Sequence, residues 1–193
     1  MNGFRNGNFQ DNEIVKASDV QLVGDVSIEN LGKALKTLFG SSKNVIIGGK
    51  LSAHTSGTSL MAKMSPILGV AADSEIPFID HEGKFYSEGD VEPSSYITFA
   101  SAGTSPRRDI VEVKADVITT NEQSRQFYDP ETESSSYSQT DIEKRVILRL
   151  KVKKGTNGSN TAPAVDTGYV KIAEVVIPAN ATSLSNSNFY NVS

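Results

Sequence analysis

Hydrophobic and polar positions follow a helical period in one part of the chain and a period of two in several others. Ile28, Leu31, Leu35 and Leu38 recur at spacings of 3, 4 and 3, which places them on one face of an α-helix. Ser27 can cap such a helix, Lys33 and Lys36 approach its C-terminal end, and Gly40 supplies a stop. The pattern predicts a helix over about 27–39, with a start as early as Asp19 and with Phe39 extending the apolar face. That face can pack on the chain's own sheet or join a bundle of sister chains. Ahead of it, Gly3, Asn6, Gly7, Asn8 and Asn12 surround Phe4 and Phe9, which reads as an irregular arm pinned by two rings.

After Gly40 the helical period disappears. "KNVIIGGKLSA" (43–53) and "SLMAKMSPILGVAA" (59–72) read as strands, the second interrupted by Pro66, and "IPFIDHEGKFYSEG" (76–89) reads as a hairpin turning at Glu82-Gly83. In "SPRRDIVEVKADV" (105–117) and the residue after it, Val111, Val113, Ala115 and Val117 point one way. Ile110, Glu112, Lys114, Asp116 and Ile118 point the other, as in a half-buried strand. "KRVILRLKVKK" repeats the pattern, with Val146, Leu148, Leu150 and Val152 opposite Arg145, Arg149, Lys151 and Lys153. "GYVKIAEVVIPA" (168–179) is apolar on both faces near Val175 to Ile177 and belongs more centrally in a sheet. Residues 121–143 and the segment "GTNGSNTAPAVDT" read as long polar loops.

These elements predict a mainly β (α+β) fold: an antiparallel β-sandwich or barrel-like domain preceded by an N-terminal arm and one helix. The expected organisation is 1–42 for arm and helix, as an attachment or oligomerisation element, then a β domain over 43–183. A break near 100–106, marked by Gly103 and Pro106, is where that domain could divide, and 184–193 reads as a flexible tail.

Composition narrows the chemistry. Nineteen basic against 23 acidic residues give a net charge of −4, so there is no electrostatic case for nucleic acid or an anionic membrane as partner. Cysteine is absent, which excludes disulfides, thiolate metal sites and a cysteine nucleophile. The first twenty residues hold no signal-peptide core and no 18-residue apolar run occurs anywhere, so the expectation is synthesis in a cytoplasm without a cleavable export signal.

His54 and His81 are the two histidines, and Asp80 and Glu82 do not complete a ligand set around His81. No serine lies in a nucleophile elbow, and "GTNGSNTAP" lacks the Lys-Ser/Thr of a phosphate loop. Asp129, Glu131 and Glu133 alternate as calcium ligands would, yet the glycine turn and distal glutamate are missing. The basic face of 145–153 has no interleaved aromatics; Glu112 and Asp116 of the preceding strand are its expected neighbours. Arg107 and Arg108 flank Asp109 and read as a structural pairing at a sheet edge. The expectation is a protein that is not an enzyme and has no cofactor and no metal site.

The order of these phrases resembles the N-terminal module of tail-fibre and baseplate-associated proteins of tailed bacteriophages and phage-like elements, over roughly residues 4–183. A Pro-Arg-x-Asp run leading into an apolar strand is matched at Pro106, Arg107, Asp109, Ile110 and Val111. A later strand phrase is matched at Gly168, Tyr169, Ala173, Val175, Ile177, Pro178, Ala179, Ala181 and Thr182. The resemblance implies a virion structural protein of the tail, made in the bacterial host cytoplasm. It would be a symmetric homo-oligomer, with a trimer favoured, that contacts other tail or baseplate proteins. Phe4, Phe9, Ile28, Leu31, Leu35, Leu38 and Phe39 are then the candidate interface, and Pro106, Arg107, Asp109, Tyr169 and Pro178 the structural motif. The alternative is a β module that binds a host surface glycan, for which Tyr86, Tyr96, Phe127, Tyr128 and Tyr137 are available.

Overall fold

The computed structural model describes residues 17–40, 42–54, 60–129 and 134–192; Phe4 and Phe9 lie outside them. Helix α1 spans Ala17–Phe39, so Ser27 sits inside it and does not cap it. Gly40 ends it in the left-handed region at φ +105°, with its N–H donating to the Lys36 carbonyl at 2.8 Å. The helix docks through its C-terminal half. Leu35 packs with Val45 and Val70 beside Leu68, and Lys36 Nζ donates to the Ala72 carbonyl at 2.9 Å. Gly32 permits this approach, because a Cβ there would stand 1.8 Å from the Glu75 carbonyl oxygen.

Segment 43–53 forms two strands, β1 (Val45–Gly48) and β2 (Leu51–Ala53), and segment 59–72 two more, β3 (Met61–Met64) and β4 (Ile67–Val70). The first stretch, read as unbroken, is therefore bent into two, and the second breaks at Pro66, where the sequence placed an interruption. The physical cause is a matched pair of corners: Gly48 and Gly49 have φ of +79° and +70°, and Ser65-Pro66 lies opposite. The ladder continues around the bend, with the Gly49 N–H on the Pro66 carbonyl and the Ser65 N–H on the Lys50 carbonyl, both at 2.9 Å. One half joins β5 (Pro77–Asp80) in the order β1-β4-β5, and the other joins β7 (Ile97–Thr98) in the order β2-β3-β7.

The hairpin expected at 76–89 does not close. The Asp80 carboxylate accepts the backbone N–H groups of Gly83 and Lys84, and Gly83 takes φ +71°, so the chain turns. It then leaves the sheet, and β6 (Tyr86–Ser87) pairs in parallel with a distant strand. That strand belongs to the third sheet, formed by β8 (Arg107–Asp129), β9 (Ser134–Lys153), β10 (Val170–Ile177) and β11 (Phe189–Asn191), in the order β11-β10-β8-β9-β6. β10 has neighbours on both sides, consistent with its apolar faces.

The 121–143 segment is the largest correction: apart from the connection at 130–133, which is not described, it is strand. β8 and β9 keep one register from Ile110↔Lys153 to Asp129↔Ser134. β10 leaves β8 at Val113 and β6 touches β9 at Arg149 and Leu150. Past Ile118, among the described residues, the ribbon pairs with itself alone. At about 3.3 Å per residue its eleven distal β8 residues, 119–129, span roughly 36 Å.

Residues 184–193 were expected as a flexible tail, but 184–192 dock on the domain. Leu184 and Phe189 are buried in the main core, and the Asn191 side chain accepts the Leu51 N–H at 2.7 Å while donating to its carbonyl. The main core draws on all three sheets, with Leu51, Ile67, Phe78, Phe85, Ile97, Val111, Leu148 and Val175 in one cluster. The fold is mainly β and sandwich-like, with one helix, and none of the described sheets closes into a barrel.

Candidate assembly surfaces

The two phrases that carried the family resemblance turn out to be partners. β8 and β10 pair antiparallel from Ile177↔Arg107 to Val170↔Val113, with Pro106 before the first position and Pro178 after the last. Proline lacks the N–H a ladder needs, so the two prolines close the same end of one strand pair. Beyond Pro178, Asn180 adopts φ +54° and donates to the Gly103 carbonyl at 2.6 Å.

Arg107 and Asp109 are buried, 5% and 0% exposed. Arg107 Nε and Nη2 meet the two Asp109 oxygens at 2.8 and 3.1 Å, and the guanidinium also donates to the Ser101 and Ala100 carbonyls. Asp109 Oδ1 accepts the Gly155 N–H at 2.9 Å. Every partner is internal, so the pair bolts three backbone segments together. It lies at the end of an interior strand, not at the sheet edge the sequence implied. Arg108 pairs with Glu174 at 3.0 Å and lies over the Tyr190 ring at 5.2 Å.

The basic row of β9 is also committed. Arg149 is 9% exposed; it binds Asp116 at 3.0 Å and the Ser87 and Asp90 carbonyls at 2.8 and 2.9 Å. Lys151 binds Asp166 at 2.9 Å and Glu88 at 3.3 Å, and Lys153 binds Asp166 as well. Hydrogen bonds from Lys153 and then Lys151 pull the Asp166 carboxyl down to about 2, and bonds to Asp166 and Glu88 push Lys151 up. Lys114 and Lys151 lie over the Tyr169 ring at 5.0 and 5.7 Å. An open groove beside it is lined by Asn44, Ile46, Val165, Asp166, Tyr169 and Lys171. Asp166, on the polar segment after β9, is the member that strand periodicity did not flag.

Two surfaces remain uncommitted. On α1 the predicted face divides: Leu35 is buried and Ile28 half-buried, while Leu31, Leu38 and Phe39 are 44%, 75% and 54% exposed. Leu31 and Leu38, seven residues apart, leave an apolar stripe beside the docked face. The second is the backbone edge of the distal β8–β9 ribbon, which no other described strand pairs. Of the aromatics considered for a glycan, three have described side chains. Tyr86 is in β6, Tyr96 stacks edge-on with His54 at 4.5 Å, and Tyr137 stands exposed on the distal ribbon; the side chains of Phe127 and Tyr128 lie outside the described set. Among the described residues no three His, Asp or Glu side chains gather as a metal site, and no helix is long and apolar enough to cross a membrane.

No family model matches the chain, and no curated protein matches it in sequence. Its fold is similar to the crystal structure of TssK, with a TM-score of 0.50 and 11% identity. The match covers 94% of this chain and 42% of the TssK chain. The likeness is therefore one of fold, and this chain spans less than half of that neighbour's length.

Proposed function

We propose that the protein is a non-catalytic structural component of a phage-tail-like assembly, attached to other tail or baseplate proteins. The observation that carries this reading is the fold match over 94% of the chain to TssK, a baseplate structural component of a phage-tail-like system. The exposed stripe at Leu31 and Leu38 and the self-paired ribbon add the kind of surface that an assembly subunit covers. In the finer form of the proposal, the chain is a bacteriophage tail-tip protein, made in the host cytoplasm and incorporated into the virion as a homotrimer. The test is immunogold labelling of particles released from the producing cell, together with the mass of the purified protein by light scattering. Label on the tail and a multimeric mass support the reading. A monomer at high micromolar concentration with no label on any particle overturns it.

A further inference from the structure

The segment 154–169 roofs one face of β8. On the Glu112 face its Asp166 N–H reaches Glu112 Oε2 at 3.0 Å and its Ala164 carbonyl accepts from Lys153 at 2.7 Å, while Gly155 and Gly158 tie its start to the end of β8 through Asp109 at 2.9 Å and the Pro106 carbonyl at 2.7 Å. Glu112 is 0% exposed, and its second oxygen, Oε1, is buried without a hydrogen-bond partner, as is the Tyr169 hydroxyl of the roof. An ionised carboxylate in that position is unfavourable unless cations meet it.

Lysines do stand opposite Glu112 on both flanking strands, Lys151 on β9 and Lys171 on β10. Lys151 is drawn to Asp166 and Glu88, and Lys171 to Glu174 at 2.6 Å. Lys114, next on the same face of β8, lies over the Tyr169 ring. Arg149 is bound to Asp116, and Lys153 is held by Asp166 and the Ala164 carbonyl. The nearest acid, Asp166, is the ionised one.

We propose that Glu112 is a proton-operated latch: as the neutral acid it holds segment 154–169 against β8, and on ionising it releases that segment while the sheet beneath stays paired. The direction of its titration agrees, since burial first, and the Asp166 charge as well, raise Glu112 above the ordinary glutamate value against the Asp166 N–H and Lys153, which lower it. The contribution to stability is thus complete below the ordinary value and lost as pH rises through the raised one.

The experiment is carried out on the full chain. Carboxyl carbon-13 NMR follows Glu112 from about pH 4 to 9, and hydrogen exchange, corrected for intrinsic rate, follows 154–169 against 170–177 over the same range, each pH unit from the ordinary glutamate value up to the raised midpoint lowering protection about tenfold before it levels off. The wild type should show Glu112 titrating above the other glutamates, with loss of protection confined to 154–169. Glu112→Gln should flatten that loss. Titration of Glu112 at or below the ordinary glutamate range overturns the proposal without any variant, and so does an unchanged pH profile in Glu112→Gln.

Discussion

Arg107 meets Asp109 where water cannot reach, and removing one partner of such a pair is far more costly than the pair is stabilising. Asp109→Ala leaves the guanidinium buried and orphans the Gly155 N–H, so urea denaturation should show a loss of about 3–5 kcal/mol. Replacing Arg107 and Asp109 together with apolar residues should cost less than the sum of the single changes. Asp166 gives a second residue-scale prediction, with its sign set by lysines. Its carboxyl is lowered to about 2, so its stabilisation is present above the ordinary aspartate value and lost as pH falls through about 2. Asp166→Asn should therefore remove part of the acid limb of the melting-temperature profile. The strand that Arg107 and Asp109 enter was legible in the sequence from the alternation that follows them. The burial of Glu112 was not, because strand period assigns a residue to a face but does not reveal that a segment fifty residues later roofs that face.

The helix and the ribbon show what periodicity can and cannot report about elements. Helix α1 was legible because its apolar period includes Leu35, which satisfies a real packing surface. Its division into docked and open stripes depends on Gly32 pressing against Glu75, a tertiary contact with no local signature. Leu35→Ala should destabilise the fold by about 2–5 kcal/mol. Leu38→Asp, at a site 75% exposed, should leave the melting temperature nearly unchanged while lowering the assembled mass. The ribbon was read as loop because its strands are polar at most positions and carry no alternation of apolar residues. A two-stranded ribbon with no third strand is marginal in water, and its open edges are templates for pairing. Among the residues whose side chains are described, no member of either core cluster lies between Ala115 and Leu148. Replacing 120–143 with an Asn-Gly turn should therefore keep the circular dichroism spectrum β-rich and the thermal transition cooperative, and should abolish any assembly that the ribbon mediates.

At the scale of the whole molecule, the similarity to TssK holds at 11% identity because architecture is set by the pattern of buried positions and turns, which many sequences satisfy. Here the pattern unites phrases far apart in the chain. The Pro106 and Pro178 phrases close one end of the β8–β10 pair, and Asn191 completes the edge of β2. The mode of assembly follows from what this architecture leaves open. Among the residues whose side chains are described, the charged ones of β8, β9 and β10 are largely paired within the chain, and the described surface that awaits a partner on α1 is apolar, so association through it should be driven by burial and not by charge. Light scattering of the full chain at low ionic strength and at about 0.5 M salt separates the two, because a Debye length near 4 Å screens exposed ion pairs but leaves apolar contact intact. The expected result is a multiple of 20.7 kDa that persists or grows with salt and falls in Leu31→Asp/Leu38→Asp. A multimer that dissociates in salt would place the contact on charged surface, away from the helix.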